Sequence, residues 1–256
     1  PEPGKLPPLL RKIEMDTSTP ASLTQLYTLV PSHMREPYLV HLLHHPPCQK
    51  VEVRTDLSDV YRTHKPKLPR EEAPAFPLSI IFVARCKSAE LLSRMLTELG
   101  IPNVSLHSML PQSTRLHNLH MFRARRVPIL ISTDVGSRGL DVPDVELVVN
   151  WDVPAAWEDY VHRVGRTARK GRPGWAVSFV TEHDVELVQT IEDKIHKTLT
   201  EWDMPESQVL ERLSHVSAAK RVASMALHDE KFGEQRERNK RKAQASQPPS
   251  KKHHVQ

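Results

Sequence analysis

From residue 78 to residue 180 the chain alternates short apolar runs of strand length with segments of helical period, and this alternation restricts the fold more than any other feature. SIIFVA at 79–84 is continuous and apolar, and in the following KSAELLSRMLTELG the residues Ser88, Leu92, Met95, Leu96 and Leu99 keep a helical spacing until Gly100 stops it. The pattern recurs. A run at 103–107 leads to a helix over 112–125, then come PILIST at 128–133, ELVVN at 146–150, a helical stretch over 160–171 and WAVSFV at 175–180. Apolar strands alternating with helices predict a parallel sheet covered on both faces, with ligands bound beyond the carboxyl ends of the strands. LTQLYTLV at 23–30 reads as an earlier strand, and SHMREPYLVHLL as a helix that Pro37 kinks or delays.

Two stretches carry candidate chemistry. In YVHRVGRTARKG, residues 160–171, His162, Arg166 and Arg169 stand at i, i+4 and i+7, so on a helix all three project from one face. Arg163 and Arg172 flank that face and Gly165 keeps the backbone beside it uncluttered. Paired guanidinium forks suit the oxygens of a polyphosphate, while a solvated basic face is the competing reading of any such charge run. The run PILIST ends on Thr133 and Asp134, and VGSRGLD then supplies Gly136, Arg138, Gly139 and Asp141. Such a loop can bring backbone N–H groups close to phosphate, or be a plain turn.

Composition narrows the classes. With 38% hydrophobic residues among 256, the chain can bury an ordinary core and still carry polar extensions. No apolar run reaches the length of a membrane span, and PEPGKLPPLLRK lacks the apolar region of a signal peptide, so neither membrane insertion nor export is expected. Cys48 and Cys86 form no C-x-x-C pair and the 15 histidines lack ligand spacing, so both thiols are expected to be reduced and structural and no metal site is expected. Of the net charge of +5, residues 231–256 carry eight Lys or Arg against Glu234 and Glu237, a net of +6 that leaves −1 for the rest. The high pI therefore belongs to the tail.

The domain organisation expected is a linker over 1–20, one α/β domain over 21–200 interrupted by a proline-rich insertion at 44–77, a helical extension over 201–233, and a disordered basic tail over 234–256. The insertion is assigned no packed structure beyond one short extended piece, VEVRTDL. Within the domain, Thr181 and Asp184 suit a capping pair, and Val185, Val188, Ile191 and Ile195 a buried helix face. Helices are expected near 206–213 and 217–232. The RERNKRK run in the tail reads as a nuclear localisation signal, a nonspecific RNA contact or a solubilising end.

SIIFVARC, LHSMLPQSTR, STDVGSRGLD and YVHRVGRTARKG stand in the order and approximate spacing of motif IV, the Q-x-x-R element, and motifs V and VI of DEAD-box RNA helicases. The resemblance covers about residues 23–199 and implies a carboxyl-terminal RecA-like domain. It implies that Arg166 and Arg169 reach the γ-phosphate of ATP as catalytic fingers, that Asp141, with Gly139, binds the nucleotide at its ribose, and that His162 couples the nucleotide site to RNA. On the RNA side it implies backbone contacts from Gln112, Arg115, Thr133 and Gly136, with Arg138 bracing the site. No G-x-x-x-x-G-K-[ST] and no DEAD sequence occur, so ATP and its Mg²⁺ are expected to be held by an amino-terminal RecA-like domain of the same protein, and this chain alone to be inactive.

SLHSMLP, CKSAELL and the tail with KRKAQ look like the fungal nucleolar branch of that family. That branch implies ribosomal RNA processing, small ribosomal subunit assembly, a nuclear and nucleolar location, and a ribosome-assembly protein cofactor as a further partner. Three departures exchange small residues and leave the charged groups intact: RTAR for the common RTGR, STDVG for ATDVA, and Ser108 for glycine. The competing reading is a free-standing RecA-like module that binds RNA or a partner without turnover.

Overall fold

Strands β1 (Leu23–Leu29), β2 (Ser79–Phe82), β3 (Asn103–Leu106), β4 (Ile129–Ser132), β5 (Leu147–Asn150), β6 (Gly174–Val180) and β7 (Thr200–Glu201) pair in parallel in the order β3-β4-β2-β5-β6-β1-β7. The structure is a computed structural model that describes residues 19–48, 76–137, 144–169, 171–230 and 232. At the centre, Ile81 stands between Ile131 on β4 and Val149 on β5.

Because successive strand side chains point to opposite faces, each apolar run feeds two cores. Ile81, Ile131, Val149 and Val177 enter one core, beneath helices α1 (Arg35–His44), α2 (Cys86–Glu98), α7 (Glu206–Leu210) and α8 (Leu213–Asp229). Ile80, Leu130, Val148 and Ala176 enter the other, beneath α3 (Gln112–Arg123), α5 (Trp157–Val164) and α6 (Val185–Ile195). A short helix, α4 (Asp134–Ser137), follows β4. The direction of each crossover decides its face. Crossovers β1-α1-β2 and β2-α2-β3 run toward the β3 edge and put their helices on one side, while β3-α3-β4, β5-α5-β6 and β6-α6-β7 run the other way and put theirs on the opposite side. That is the outcome of a uniform right hand in parallel crossovers.

Several expectations meet the structure with differences. Pro37 neither kinks nor delays a helix: it is the third residue of α1, within the first turn, where an N–H would lack an intrahelical partner anyway. On α2 the buried face includes Ala89 with Leu92, Met95 and Leu96, while Ser88 and Leu99 are only partly buried. The Asp184 carboxylate accepts from Thr181 N–H (3.0 Å) and Thr181 Oγ1 (2.6 Å), so the pair forms, but it closes the turn before α6 rather than capping it, because the helix begins at Val185 with no side-chain hydrogen bond from Asp184 to its first N–H groups. Val188, Ile191 and Ile195 are buried, but Val185 is 43% exposed, because the first residue of α6 lies beyond the edge of the core that its later turns cover.

The insertion at 44–77 is attached at both ends. His44 closes α1, Cys48 is buried with its thiol pushed up to about 11 by desolvation, and Phe76 packs against the first core. Residues 49–75, including VEVRTDL, lie outside the described residues, as do 1–18 and the tail from 233. The helical extension begins α8 four residues earlier than expected, at Leu213, because Val216, Ala219, Ala223 and Leu227 give it a buried face against the first core. Strand β7 has no sequence signal. Its two residues are exposed, and it is held to β1 by backbone pairing and a long hydrogen bond from the Tyr27 hydroxyl to Glu201 Oε2 at 3.5 Å. Among the described residues no helix is long and apolar enough to cross a membrane.

Candidate functional site

At the carboxyl edge of the sheet, α2, α3 and α5 begin shortly after β2, β3 and β5 end, turning their unsatisfied N–H groups and positive dipole ends toward that edge. Gln112 and Arg115 share the first turn of α3, where Arg115 Nη1 donates to Gln112 Oε1 at 3.1 Å. Gln112 is exposed and Arg115 half-buried. Thr133 follows β4, buried, with its N–H donating to the Leu106 carbonyl at 3.2 Å, and Gly136 lies in α4. Gly139 and Asp141 lie outside the described residues, together with Arg138. Two exposed cations at the start of α2, Arg85 and Lys87, stand at the same edge. Sequence reasoning left them out, although cations directly after a buried strand are themselves a signal for this edge.

The residue most underestimated from sequence is Arg163. Instead of flanking a phosphate-binding face, it is 3% exposed. Its Nε and Nη2 donate to Asp134 Oδ1 and Oδ2, each at 2.7 Å, and its Nη1 donates to the Asp152 carbonyl at 2.6 Å and Asn150 Oδ1 at 3.3 Å. The guanidinium also lies 5.2 Å from the centre of the Phe82 ring. One side chain thus ties together the ends of β2, β4 and β5. Helical side chains lean toward the helix amino terminus, and α5 runs back against the strands, so a residue in its last turn reaches up to the carboxyl edge. Tyr160 and Val164, both buried, mark the face that Arg163 shares, and this i, i+3, i+4 set is the signal that would have found it. Tyr160 anchors the same face by donating its hydroxyl to Gln25 Oε1 at 2.9 Å, and burial pushes that phenol well above its ordinary value. Beside the hub, Asp152 accepts from Arg35 Nη2 at 2.8 Å and from Ala84 N–H at 2.7 Å.

The single helical face expected for His162, Arg166 and Arg169 does not form. Helix α5 ends at Val164, leaving only exposed His162 on it. Gly165 donates to the Val161 carbonyl at 2.8 Å, Arg166 and Thr167 N–H groups then close tight turns on Arg163 and Val164, and Ala168 takes a left-handed φ of 58°. The turn is held by a distant segment. Val145 N–H donates to the Arg166 carbonyl at 3.0 Å, and Thr167 Oγ1 donates to the Val145 carbonyl at 2.7 Å. Val145 leads into β5, so Arg166 and Arg169 stand toward the amino edge of the sheet, away from the carboxyl edge where they were expected. Arg166 is half-buried. Arg169 is exposed, with Nε donating to the Gly165 carbonyl at 2.6 Å and Nη1 paired with Asp144 at 3.2 Å.

Two small residues shape this turn. A left-handed conformation costs a non-glycine residue about 1–2 kcal/mol, whereas burying one methyl contributes about 0.8 kcal/mol. Ala168 is 5% exposed and packs in the second core, so its methyl offsets much of the conformational cost, and the common glycine is not required. Gly174 is different. A Cβ there would collide with Thr167 Oγ1 and with the Ala168 backbone nitrogen, which cannot swing aside. Gly174→Ala is therefore expected to destabilise the chain by about 1–3 kcal/mol in urea unfolding, and an unchanged midpoint would show that β6 and the turn are not packed so closely.

The site thus has two parts, an edge of helix amino termini with Gln112 and Arg115, and an arginine turn toward the opposite edge, with α5 and Arg163 between them. Among the described residues no three His, Cys, Asp or Glu side chains gather as metal ligands. Residues 72–171 match the helicase conserved C-terminal domain family. The ATP-dependent RNA helicase DBP8 of Mycosarcoma maydis is 53% identical over 265 residues, covering 93% of this chain and 50% of that protein. The protein of the same name from Saccharomyces cerevisiae (strain ATCC 204508 / S288c) is 42% identical over 243 residues, covering 93% of this chain and 50% of that protein. The chain spans about half the length of the curated relatives it matches.

Among solved structures, the E. coli DEAD-box protein SrmB, bound to regulator of ribonuclease activity A, superposes with a TM-score of 0.58 at 30% identity, covering 72% of this chain and 92% of that one. The C-terminal domain of the DEAD-box protein Dbp5 superposes with a TM-score of 0.55 at 28% identity, over 70% of this chain and 89% of that one. S. cerevisiae Dbp5 bound to RNA and ADP BeF3 gives a TM-score of 0.56 at 27% identity, over 78% of this chain and 46% of that one. A doubly covered parallel sheet, four motifs in order and relatives that agree in both sequence and fold place the chain in the DEAD-box RNA helicase family, as its carboxyl-terminal RecA-like domain.

Proposed function

We propose that this chain is the carboxyl-terminal half of an ATP-dependent RNA helicase, with Arg166 and Arg169 as arginine fingers and the carboxyl edge of the sheet as its RNA surface. The observation that carries the reading is the two-part site joined by α5, whose buried Arg163 ties Asp134 and Asn150 at the RNA edge to the helix that leads directly into the arginine turn. A partner domain closing over one part is thereby mechanically linked to the other. Gln112, Arg115, Thr133 and Gly136 hold the sugar–phosphate backbone, which makes recognition independent of base sequence. ATP is bound between this chain and the amino-terminal RecA-like domain of the same protein, which also holds Mg²⁺, with Asp141 and Gly139 at the ribose and His162 coupling nucleotide to RNA. Both guanidinium groups supply positive charge where negative charge develops on the transferred phosphoryl oxygens.

Resemblance to the fungal nucleolar branch supports a role in ribosomal RNA processing and small ribosomal subunit assembly in the nucleolus, with a ribosome-assembly protein as cofactor. RNA-stimulated ATP hydrolysis and separation of short duplexes by the complete two-domain protein test the reading. The 256-residue chain alone is expected to show no turnover, because no phosphate-binding loop of the G-x-x-x-x-G-K-[ST] type occurs in it. Robust hydrolysis by the chain alone, abolished by changing Arg166, would overturn the division of labour. A complete protein that binds RNA and never hydrolyses ATP would leave the non-catalytic module instead.

A further inference from the structure

Helix α8 carries a charge pattern and an apolar face that its packing on the first core does not explain. From its cap Arg212 to His228 it holds Arg212, Lys220 and Arg221, with His215 and His228, and no Asp or Glu. Lys220 is matched by Glu36 on α1 at 2.6 Å. Arg212 and Arg221 are exposed, and neither has an ion pair among the described residues. On the same helix His215, Ala218, Val222 and Met225 follow one another at spacings of three, four and three, so they line one face. All four are exposed, Val222 at 49% and Met225 at 60%, beside the buried face of Val216, Ala219, Ala223 and Leu227.

At the amino-terminal end of this stripe, where α1 and α2 end, a cavity of about 80 Å³ opens. Buried Val40, Ile101 and Val216 floor it, and His44, Arg212 and His215 stand around them. No carboxylate lines it. Burial, and after it the Arg212 charge, hold His44 below its ordinary value, so Arg212 is the standing positive charge and His44 a neutral hydrogen-bonding group. The space is that of about two or three waters, far below what a nucleotide needs and suited to the end of one side chain. An apolar floor beneath a cationic rim fits a carboxylate on a short apolar stem. His215 belongs to both the cavity and the stripe, which joins them into one surface.

We propose that this surface docks an acidic amphipathic helix of a protein partner. Its apolar residues lie along Ala218, Val222 and Met225, and one Asp or Glu side chain enters the cavity toward Arg212 and His44. Charge decides among the occupants. A second copy of this chain would set the cations of one α8 against those of the other, whereas an acidic helix neutralises them. Exposed apolar groups at i, i+4 and i+7 are also the pattern that a helical partner reads. The surface is formed where α1 and α2 end, away from the carboxyl edge, so the inference does not rest on the reading of that edge as the RNA surface.

Two fluorescein-labelled peptides of about 18 residues test this, one with Leu at a and d and Glu at e and g of each heptad, the other with Lys in place of Glu. Like charges keep each peptide from pairing with itself. Fluorescence anisotropy at fixed ionic strength compares the 256-residue chain, the complete two-domain protein, the charge-reversed variant Arg212→Glu with Arg221→Glu, and the polar variant Val222→Ser with Met225→Ser. The glutamate peptide is expected to bind saturably to the chain and to the complete protein, about tenfold or more tighter than the lysine peptide. Charge reversal is expected to invert that order, and the polar variant to weaken the glutamate peptide by about tenfold. Absence of saturable binding, equal affinity for both peptides, or a preference that survives charge reversal overturns the acidic partner. Binding to the 256-residue chain that the complete protein lacks means that its amino-terminal half covers this face. A dimer in sedimentation equilibrium that the polar variant dissolves makes a second copy the occupant, and either result overturns the proposal. All four altered residues are exposed, and equal urea midpoints establish that the fold is intact. An inverted order of affinity, moreover, cannot arise from unfolding.

Discussion

Changing Arg166 or Arg169 to alanine in the complete two-domain protein is expected to lower RNA-stimulated ATP hydrolysis by on the order of 10³-fold, the scale of an arginine finger. The structure makes this a clean experiment. The backbone of Arg166 helps hold the turn, through the carbonyl that accepts from Val145 and the N–H that donates to the Arg163 carbonyl, and removing the side chain leaves those bonds in place. Arg169 is exposed and its pairing with Asp144 is a surface ion pair, which contributes little to stability. Arg169→Ala should therefore unfold in urea where the parent does, and both variants should bind single-stranded RNA normally without nucleotide. Lysine should rescue poorly, since a single ammonium cannot reproduce two fixed N–H directions. Normal hydrolysis by both alanine variants would remove the finger assignment, and a fall in the urea midpoint that tracks the loss of activity would make the effect structural.

Arg163→Met should destabilise the chain by about 3 kcal/mol. Removing one partner of a buried ion pair leaves the other desolvated and uncompensated, and here it also strips donors from Asn150 Oδ1 and the Asp152 carbonyl. The value is set at the low end of the usual range because Asp134 is 26% exposed and can recover some hydration. Urea unfolding of the 256-residue chain measures the loss directly. A double-mutant cycle with Asp134→Asn separates the ion pair from the remaining contacts, since the cycle reports the pair's own coupling. A loss below about 1 kcal/mol would mean that the ends of β2, β4 and β5 are held together without the guanidinium.

Much of the architecture was legible because it is written in local patterns. Runs such as SIIFVA and PILIST are buried on both faces of the sheet, and a chain that alternates them with helical periods has few other ways to bury its apolar groups. The pairing of Thr181 with Asp184 was legible for the same reason, since it acts over three residues. Gln112 and Arg115 came from the resemblance of QSTR to the Q-x-x-R element, and the structure puts both in the first turn of α3. Arg163 was misread because charge alone suggests the surface, and only its partners, half-buried Asp134 and buried Asn150, distant in sequence, make its interior position stable.

The sequence by itself determined the layered parallel sheet, the order of its helices, and which residue types could meet phosphate, because periodicity and turn chemistry act within a few residues of one another. Only the tertiary structure decided that α5 stops at Val164 and that Arg166 and Arg169 therefore stand toward the opposite edge from Gln112 and Arg115. The deciding bonds, Val145 N–H to the Arg166 carbonyl and Thr167 Oγ1 to the Val145 carbonyl, join segments that meet only after β5 is laid beside β6. The close approach of Gly174 seals that turn from the other side. A helical period can continue on paper through such a junction, but the chain leaves the helix where long-range backbone pairing satisfies its polar groups better than another helical turn would.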